Sequence, residues 1–212
     1  MSSYYDSRFK FDPKRRIVWN EIVAYLSHHI PIKGTVVDLG AGYCDFINAV
    51  NAKRRIAIDI SDESEHYCHP EVEFLRSSVL DLSVLGDSSV DVVHASNLLE
   101  HFNDDDLDKL IAEIYRILSP SGKLILLQPN YRLSYKYYFD DYTHKKVWTH
   151  VSLRDFLTAN KFKAVKDYTK FLPFSMKSSG SLPVFPVIIR AYLHSPWKPF
   201  AGQMLLVSEV NK

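Results

Sequence analysis

The stretch Thr35-Val-Val-Asp-Leu-Gly-Ala-Gly-Tyr-Cys44 restricts what this chain can fold into more than any other. Val36, Val37 and Leu39 predict a short buried strand, Gly40-Ala-Gly42 a turn, and Asp45 the start of a helix. Glycines at that spacing remove the Cβ atoms that would keep a ligand off the backbone. The helix behind them presents unpaired N–H groups. A second strand follows at Arg55-Ile-Ala-Ile-Asp-Ile60, with Asp59 at its tip, 17 positions after Gly42. In a doubly wound sheet, a carboxylate there is placed to hold both hydroxyls of a ribose.

The turn departs from the dinucleotide pattern G-x-G-x-x-G. Cys44 stands where a third glycine is expected, and the last position of the pattern is Asp45. Aspartate suits a helix cap, but its charge would repel a pyrophosphate. The ligand implied is an adenosine without phosphate, which points away from NAD and towards S-adenosylmethionine.

The rest of the chain reads as alternating helices and strands. Ile17, Val18, Ile22, Val23, Tyr25 and Leu26 predict an amphipathic helix over 14–29, preceded by a polar and aromatic arm, 1–15. Residues 61–70 read as a polar loop, 72–75 as a third strand and 90–95 as a fourth. Asn103-Asp-Asp-Asp106 caps a helix over 104–118, whose Leu107, Leu110, Ile111, Ile114 and Leu118 share one face. A fifth strand covers 123–128, and 131–150 shows no regular period. Ser152 reads as the cap of a helix over 153–160, with a sixth strand near 163–171 and a seventh at 203–208. Between these last two strands lies an insertion, 172–201, with five prolines and an apolar stretch, 184–193. A segment of that length is expected to act as a lid or substrate-selecting piece. The alternation predicts an α/β fold: one doubly wound, seven-stranded, mostly parallel sheet spanning 1–212 as a single domain.

Composition narrows the function classes. The formal charge of +1 carries no nucleic-acid signature. It is unevenly spread, with 13 basic and 20 acidic residues up to position 130 and 13 and 5 after it. That later excess, with Lys177, Arg190 and Lys198 in the insertion, predicts an anionic acceptor such as a nucleotide-linked or lipid-linked sugar. Cys44 and Cys68 make no disulfide framework, and His66, Cys68 and His69 match no zinc spacing, so no metal is expected. No apolar run is long enough for a membrane span, and a cytoplasmic protein, monomeric or homodimeric, is expected.

Taken together, Asp38-Leu-Gly-Ala-Gly42, Asp59, the segment 90–101 and Leu118-Ser-Pro-Ser-Gly122 make the chain resemble a class I S-adenosylmethionine-dependent methyltransferase. The likeness runs from about Val36 to Gln128, and the strand at 203–208 fits the antiparallel strand of that fold. The resemblance implies that Asp38, Gly40, Ala41 and Gly42 pass the methionine part of the cofactor. Asp59 and Ile60 would hold the ribose, Ser78 and Val79 would flank the adenine, and Ser96 and Asn97 would line the methyl-donating side. Ser78 stands where family members commonly have an aspartate, which weakens the grip on the adenine amino group. The part after residue 130, with Leu172-Pro-Phe-Ser-Met-Lys177, resembles a narrower group of bacterial methyltransferases from sugar or polysaccharide pathways.

Methyl transfer to a hydroxyl needs a base within hydrogen-bond reach. His144, in the loop after the fifth strand, is the leading candidate, with His101 second. Asp141, Tyr142 and Lys177 are candidate substrate contacts. The expected activity is methyl transfer to oxygen of a small molecule or glycan intermediate. N-methylation of an amine is the alternative reaction, and a non-catalytic partner subunit of the same fold is the alternative class.

Overall fold

The computed structural model describes residues 10–173 and 184–212. Seven strands form one sheet in the order β3-β2-β1-β4-β5-β7-β6, comprising β1 (Thr35–Leu39), β2 (Arg54–Asp59), β3 (Glu73–Arg76), β4 (Val90–Ser96), β5 (Leu118–Pro129), β6 (Phe162–Tyr168) and β7 (Gln203–Val210). β1 to β5 run parallel, while β7 lies antiparallel between β5 and β6. Strand order reverses between β1 and β4. Both strands point their carboxyl ends at the crevice this reversal opens, where ligands of open α/β sheets bind.

The parallel strands are apolar on both faces because both are covered. On one face Val37, Leu39, Ile58, Val93, Ala95 and Leu126 pack against α4 (Asp104–Ile117) and α6 (His150–Ala159). The α4 positions Leu107, Leu110, Ile111 and Ile114 are buried there, as their spacing predicts. On the other face Val36, Ala57, Val92, Ile125 and Leu205 meet α1 (Lys14–Leu26), α2 (Asp45–Ala49) and α7 (Pro186–His194). α1 passes into a 3-10 turn at Ser27–His29, so the predicted helix is two elements in sequence.

Several local expectations are corrected. The cap of α6 is Thr149, whose hydroxyl accepts from the Ser152 amide while Ser152 Oγ accepts from the Thr149 amide. Ser152 is the third residue of a capping box, because the helix begins three residues earlier than its apolar period shows. The loop 61–70 contains a short helix, α3 (Asp62–Glu65), and 131–150 contains α5 (Tyr131–Ser134) and a 3-10 turn at Tyr138–Asp140. Asp45 is not the cap of α2. That position falls to Cys44, whose φ of 56° lies in the left-handed region that glycine occupies without strain.

The insertion leaves the sheet at Leu172, and its two ends are bridged by Pro173 and Ala201, with the Gly202 amide donating to the Leu172 carbonyl. Within it, α7 docks on α1 through Arg190, which donates to both carboxylate oxygens of Glu21 at 2.8 and 3.0 Å. Among the described residues, no helix is long and apolar enough to cross a membrane.

Candidate active site

A cavity of about 900 Å³ opens at the carboxyl ends of β1, β2 and β4. Pockets for a single ligand run from roughly 300 to 1,000 Å³, and this one lies at the upper end of that range. The turn after β1 forms its floor. Gly40 and Gly42 have φ of 66° and 54°. A Cβ on Gly40 would stand 2.9 Å from Leu98 Cδ1, so a side chain there would push the Leu98 side chain aside as well as strain the positive φ.

Asp59 ends β2 inside the cavity wall. Its Oδ2 accepts the Gly42 amide at 2.8 Å and its Oδ1 the Ser61 amide at 2.9 Å. The backbone thus aims both carboxylate oxygens. Ile60 beside it is half exposed and also lines the cavity, offering an apolar surface next to the carboxylate. Ser78 and Val79 lie on the same wall, with Ser78 Oγ accepting the Leu80 amide at 3.2 Å.

Beneath the turn, Asp38 is buried and bonded to His94 Nδ1 at 2.7 Å. Burial pushes the Asp38 carboxyl up, and the histidine opposes that shift. The His94 ring is stacked on Phe46 and meets Trp19 edge-on, so aromatic side chains from α1 and α2 fix it. Asp45 accepts from Arg15 Nε of α1 at 3.2 Å; burial raises its carboxyl and the arginine counters it. The anionic charge foreseen at the start of this helix is therefore paired.

After β4, Ser96 and Asn97 line the cavity, and Asn97 Oδ1 accepts from Gln203 Nε2 of β7 at 2.9 Å. All ten residues expected at the cofactor face this one cavity. So do His101, His144 and Asp141, whereas Tyr142 is 73% exposed and is not part of the lining. Tyr137 and Asp140 line it from the same loop. Lys177 lies outside the described residues.

The loop 131–150 folds back so that its His144 meets the end of β4. The His144 and His101 ring centroids are 5.1 Å apart, and His144 Nε2 is 3.9 Å from Glu100 Oε1. Burial, with Asp141 adding to it, pushes the Glu100 carboxyl up to about 8. Burial and then the neighbouring His144 push His101 down. Burial works against ionising Asp141, but the Thr143 hydroxyl and amide outweigh it and hold that carboxyl low. The Thr143 hydroxyl donates to Asp141 Oδ1 at 2.6 Å and stands 3.0 Å from His101 Nδ1. Having spent its proton on Asp141, it accepts from His101, which places the His101 proton on Nδ1.

Sequence reasoning missed Glu100, His94, Arg15, Trp19, Phe46 and Gln203, all of them in the lining. Only Glu100 carried a signal, a lone charge inside the apolar run Leu98-Leu-Glu-His-Phe102. Phe46 directly follows the turn, and Arg15, Trp19, His94 and Gln203 reach the cavity by packing of elements distant in sequence.

The comparisons with known proteins agree with this geometry. Residues 37–126 match the family described as a methyltransferase domain. A SAM-dependent methyltransferase from Archaeoglobus fulgidus superposes with a TM-score of 0.69 at 19% identity, over 92% of this chain and 94% of that one. Another from Thermotoga maritima, described as a possible histamine N-methyltransferase, has a TM-score of 0.69 at 18% identity over 100% and 96% of the two chains. Phosphoethanolamine N-methyltransferase 1 of Triticum aestivum is 31% identical over 102 residues, 43% of this chain. The match spans only 20% of that wheat protein's length. The fold is that of Rossmann-like methyltransferase structures, and its residues 37–126 are similar to a methyltransferase domain.

Proposed function

We propose that the chain transfers the methyl group of S-adenosylmethionine to a hydroxyl oxygen of an uncharged small molecule, such as a glycan intermediate. The supporting observation is that Glu100, His101 and His144 converge on the cavity whose other wall carries Gly40, Gly42 and Asp59. The two glycines let the methionine part lie against the β1 turn, Asp59 takes the ribose hydroxyls, and Ser78 and Val79 take the adenine. His144 then accepts the hydroxyl proton as the oxygen attacks the methyl carbon and the C–S electron pair returns to sulfur. Held in line, the two reactants need little further help.

Two of the three basic residues behind the expectation of an anionic acceptor are engaged within the protein. Arg190 is committed to Glu21, and Lys198 Nζ donates to the Tyr192 and Leu193 carbonyls at the end of α7. The carboxylates of Glu100, Asp140 and Asp141 line the cavity together with His144. The same carboxylates favour a second reading, N-methylation of an amine, to which the likeness to the wheat N-methyltransferase adds weight.

The test is S-adenosylhomocysteine formation with hydroxylated and amine acceptors, on the intact chain and on His144→Ala. Turnover of a hydroxylated acceptor that falls by about 100-fold or more in the variant supports a base at oxygen. Turnover of amines alone replaces this reading with the second. Cofactor binding without turnover of either class moves a partner-subunit role to first place.

A further inference from the structure

The cluster that receives the acceptor also has the make-up of a metal site. One ligand atom each from Glu100, His101 and His144 lies within 4.8 Å of the others. Glu100 is fully buried at 0% exposure and lines the cavity, yet neither carboxylate oxygen is hydrogen-bonded to another described residue. A carboxylate removed from water without donors is a cost that packing does not explain. The histidine beside it is oriented as metal ligands are. His101 Nδ1 donates to the Thr143 hydroxyl, whose own proton goes to Asp141.

We propose that Glu100, His101 and His144 bind a divalent first-row transition-metal ion whose remaining coordination positions face the cavity. Two imidazoles and one carboxylate on one side suit manganese, iron or zinc, whereas magnesium prefers oxygen ligands throughout. The catalytic part of this proposal rests on the hydroxyl-acceptor reading above and narrows it. Two adjacent oxygens, as in a vicinal diol, could both reach the ion. Coordination makes the hydroxyl more acidic. Its proton leaves to water, the oxygen forms its bond to the methyl carbon, and the C–S pair goes to sulfur. The ion keeps its charge throughout. His144 then holds the ion instead of taking the proton. No sequence spacing shows such a site, since His144 stands 43 positions after His101.

The experiment titrates Mn²⁺ into the chelator-stripped full chain, followed by calorimetry and electron paramagnetic resonance, with S-adenosylhomocysteine binding measured in parallel. One ion per chain with nitrogen coupling from imidazole is expected. Glu100→Gln and His144→Gln should each weaken the ion by roughly 100-fold or more while the cofactor product still binds. A chain that binds S-adenosylhomocysteine but not Mn²⁺ overturns the metal site and leaves the methyltransferase reading standing. So does a bound ion without nitrogen coupling, a result that needs no variant to fold. Loss of S-adenosylhomocysteine binding alone would count against the cofactor assignment and not against the ion.

Discussion

Asp59 accepts the backbone amide of Gly42 at 2.8 Å, tying the tip of β2 to the turn after β1 across 17 residues of chain. The glycine turn and the strand-tip carboxylate that stand out in the sequence are thus one hydrogen-bonded unit. Removing the carboxylate takes away the proposed ribose acceptor and also frees the turn. Asp59→Ala should lower S-adenosylhomocysteine affinity by about 2–3 kcal/mol, a charged hydrogen-bond acceptor's worth. Asp59→Asn should lose less, since one amide oxygen still accepts. Calorimetric titration checks both.

His94 and Asp38 form a buried pair 2.7 Å apart below the cavity floor. Cutting one partner away leaves the other without compensation in an apolar surround. His94→Ala should cost about 3 kcal/mol of stability or more, read as a lower urea midpoint with an unchanged slope. Asp38→Asn, which keeps the shape and a polar partner, should cost less.

Arg190 meets Glu21 with two hydrogen bonds, but its side chain is 62% exposed. Exposed pairs contribute about 1 kcal/mol at most. Arg190→Ala should therefore shift the melting temperature only slightly and leave acceptor KM unchanged. A large rise in KM at low salt would return the anionic acceptor to consideration.

His29 makes stability depend on pH. Burial, followed by the nearby charges of His28, Lys123 and Lys166, pushes its pKa from 6.5 down to about 4. The unfolded chain takes up this proton near pH 6.5 and the folded one near pH 4. The stabilising contribution is full above pH 6.5 and is lost as pH falls between those values, on the order of 1–3 kcal/mol. Melting temperatures from pH 7 to pH 4.5 should fall, and His29→Phe should flatten that part of the curve.

Thr149 caps α6, and Ser152 returns the bond. Thr149→Ala should cost about 1 kcal/mol, and Ser152→Ala less, because one partner of the box still holds an orphan amide. Thermal denaturation of the two variants ranks them.

Local chemistry alone determined much of this protein. Gly40, Gly42 and Asp59 announced the turn at the cavity floor, because positive φ and a carboxylate at a strand tip are demands that one short segment can meet. The face of α4 was legible because its period is a property of the helix itself. The sheet class followed from alternation, and its strands from apolar runs that must be covered on both sides.

Only the tertiary structure decided what stands around the turn. Trp19 and Phe46 reach His94 because α1 and α2 share a face of the sheet. Gln203 reaches Asn97 because β7 inserts next to β5 in antiparallel register. Arg15 cancels the charge of Asp45 from 30 residues away. His144 comes to Glu100 by the folding back of an irregular loop, which has no period to read. Such contacts depend on the closing of long loops, and burial, not any local preference, selects them.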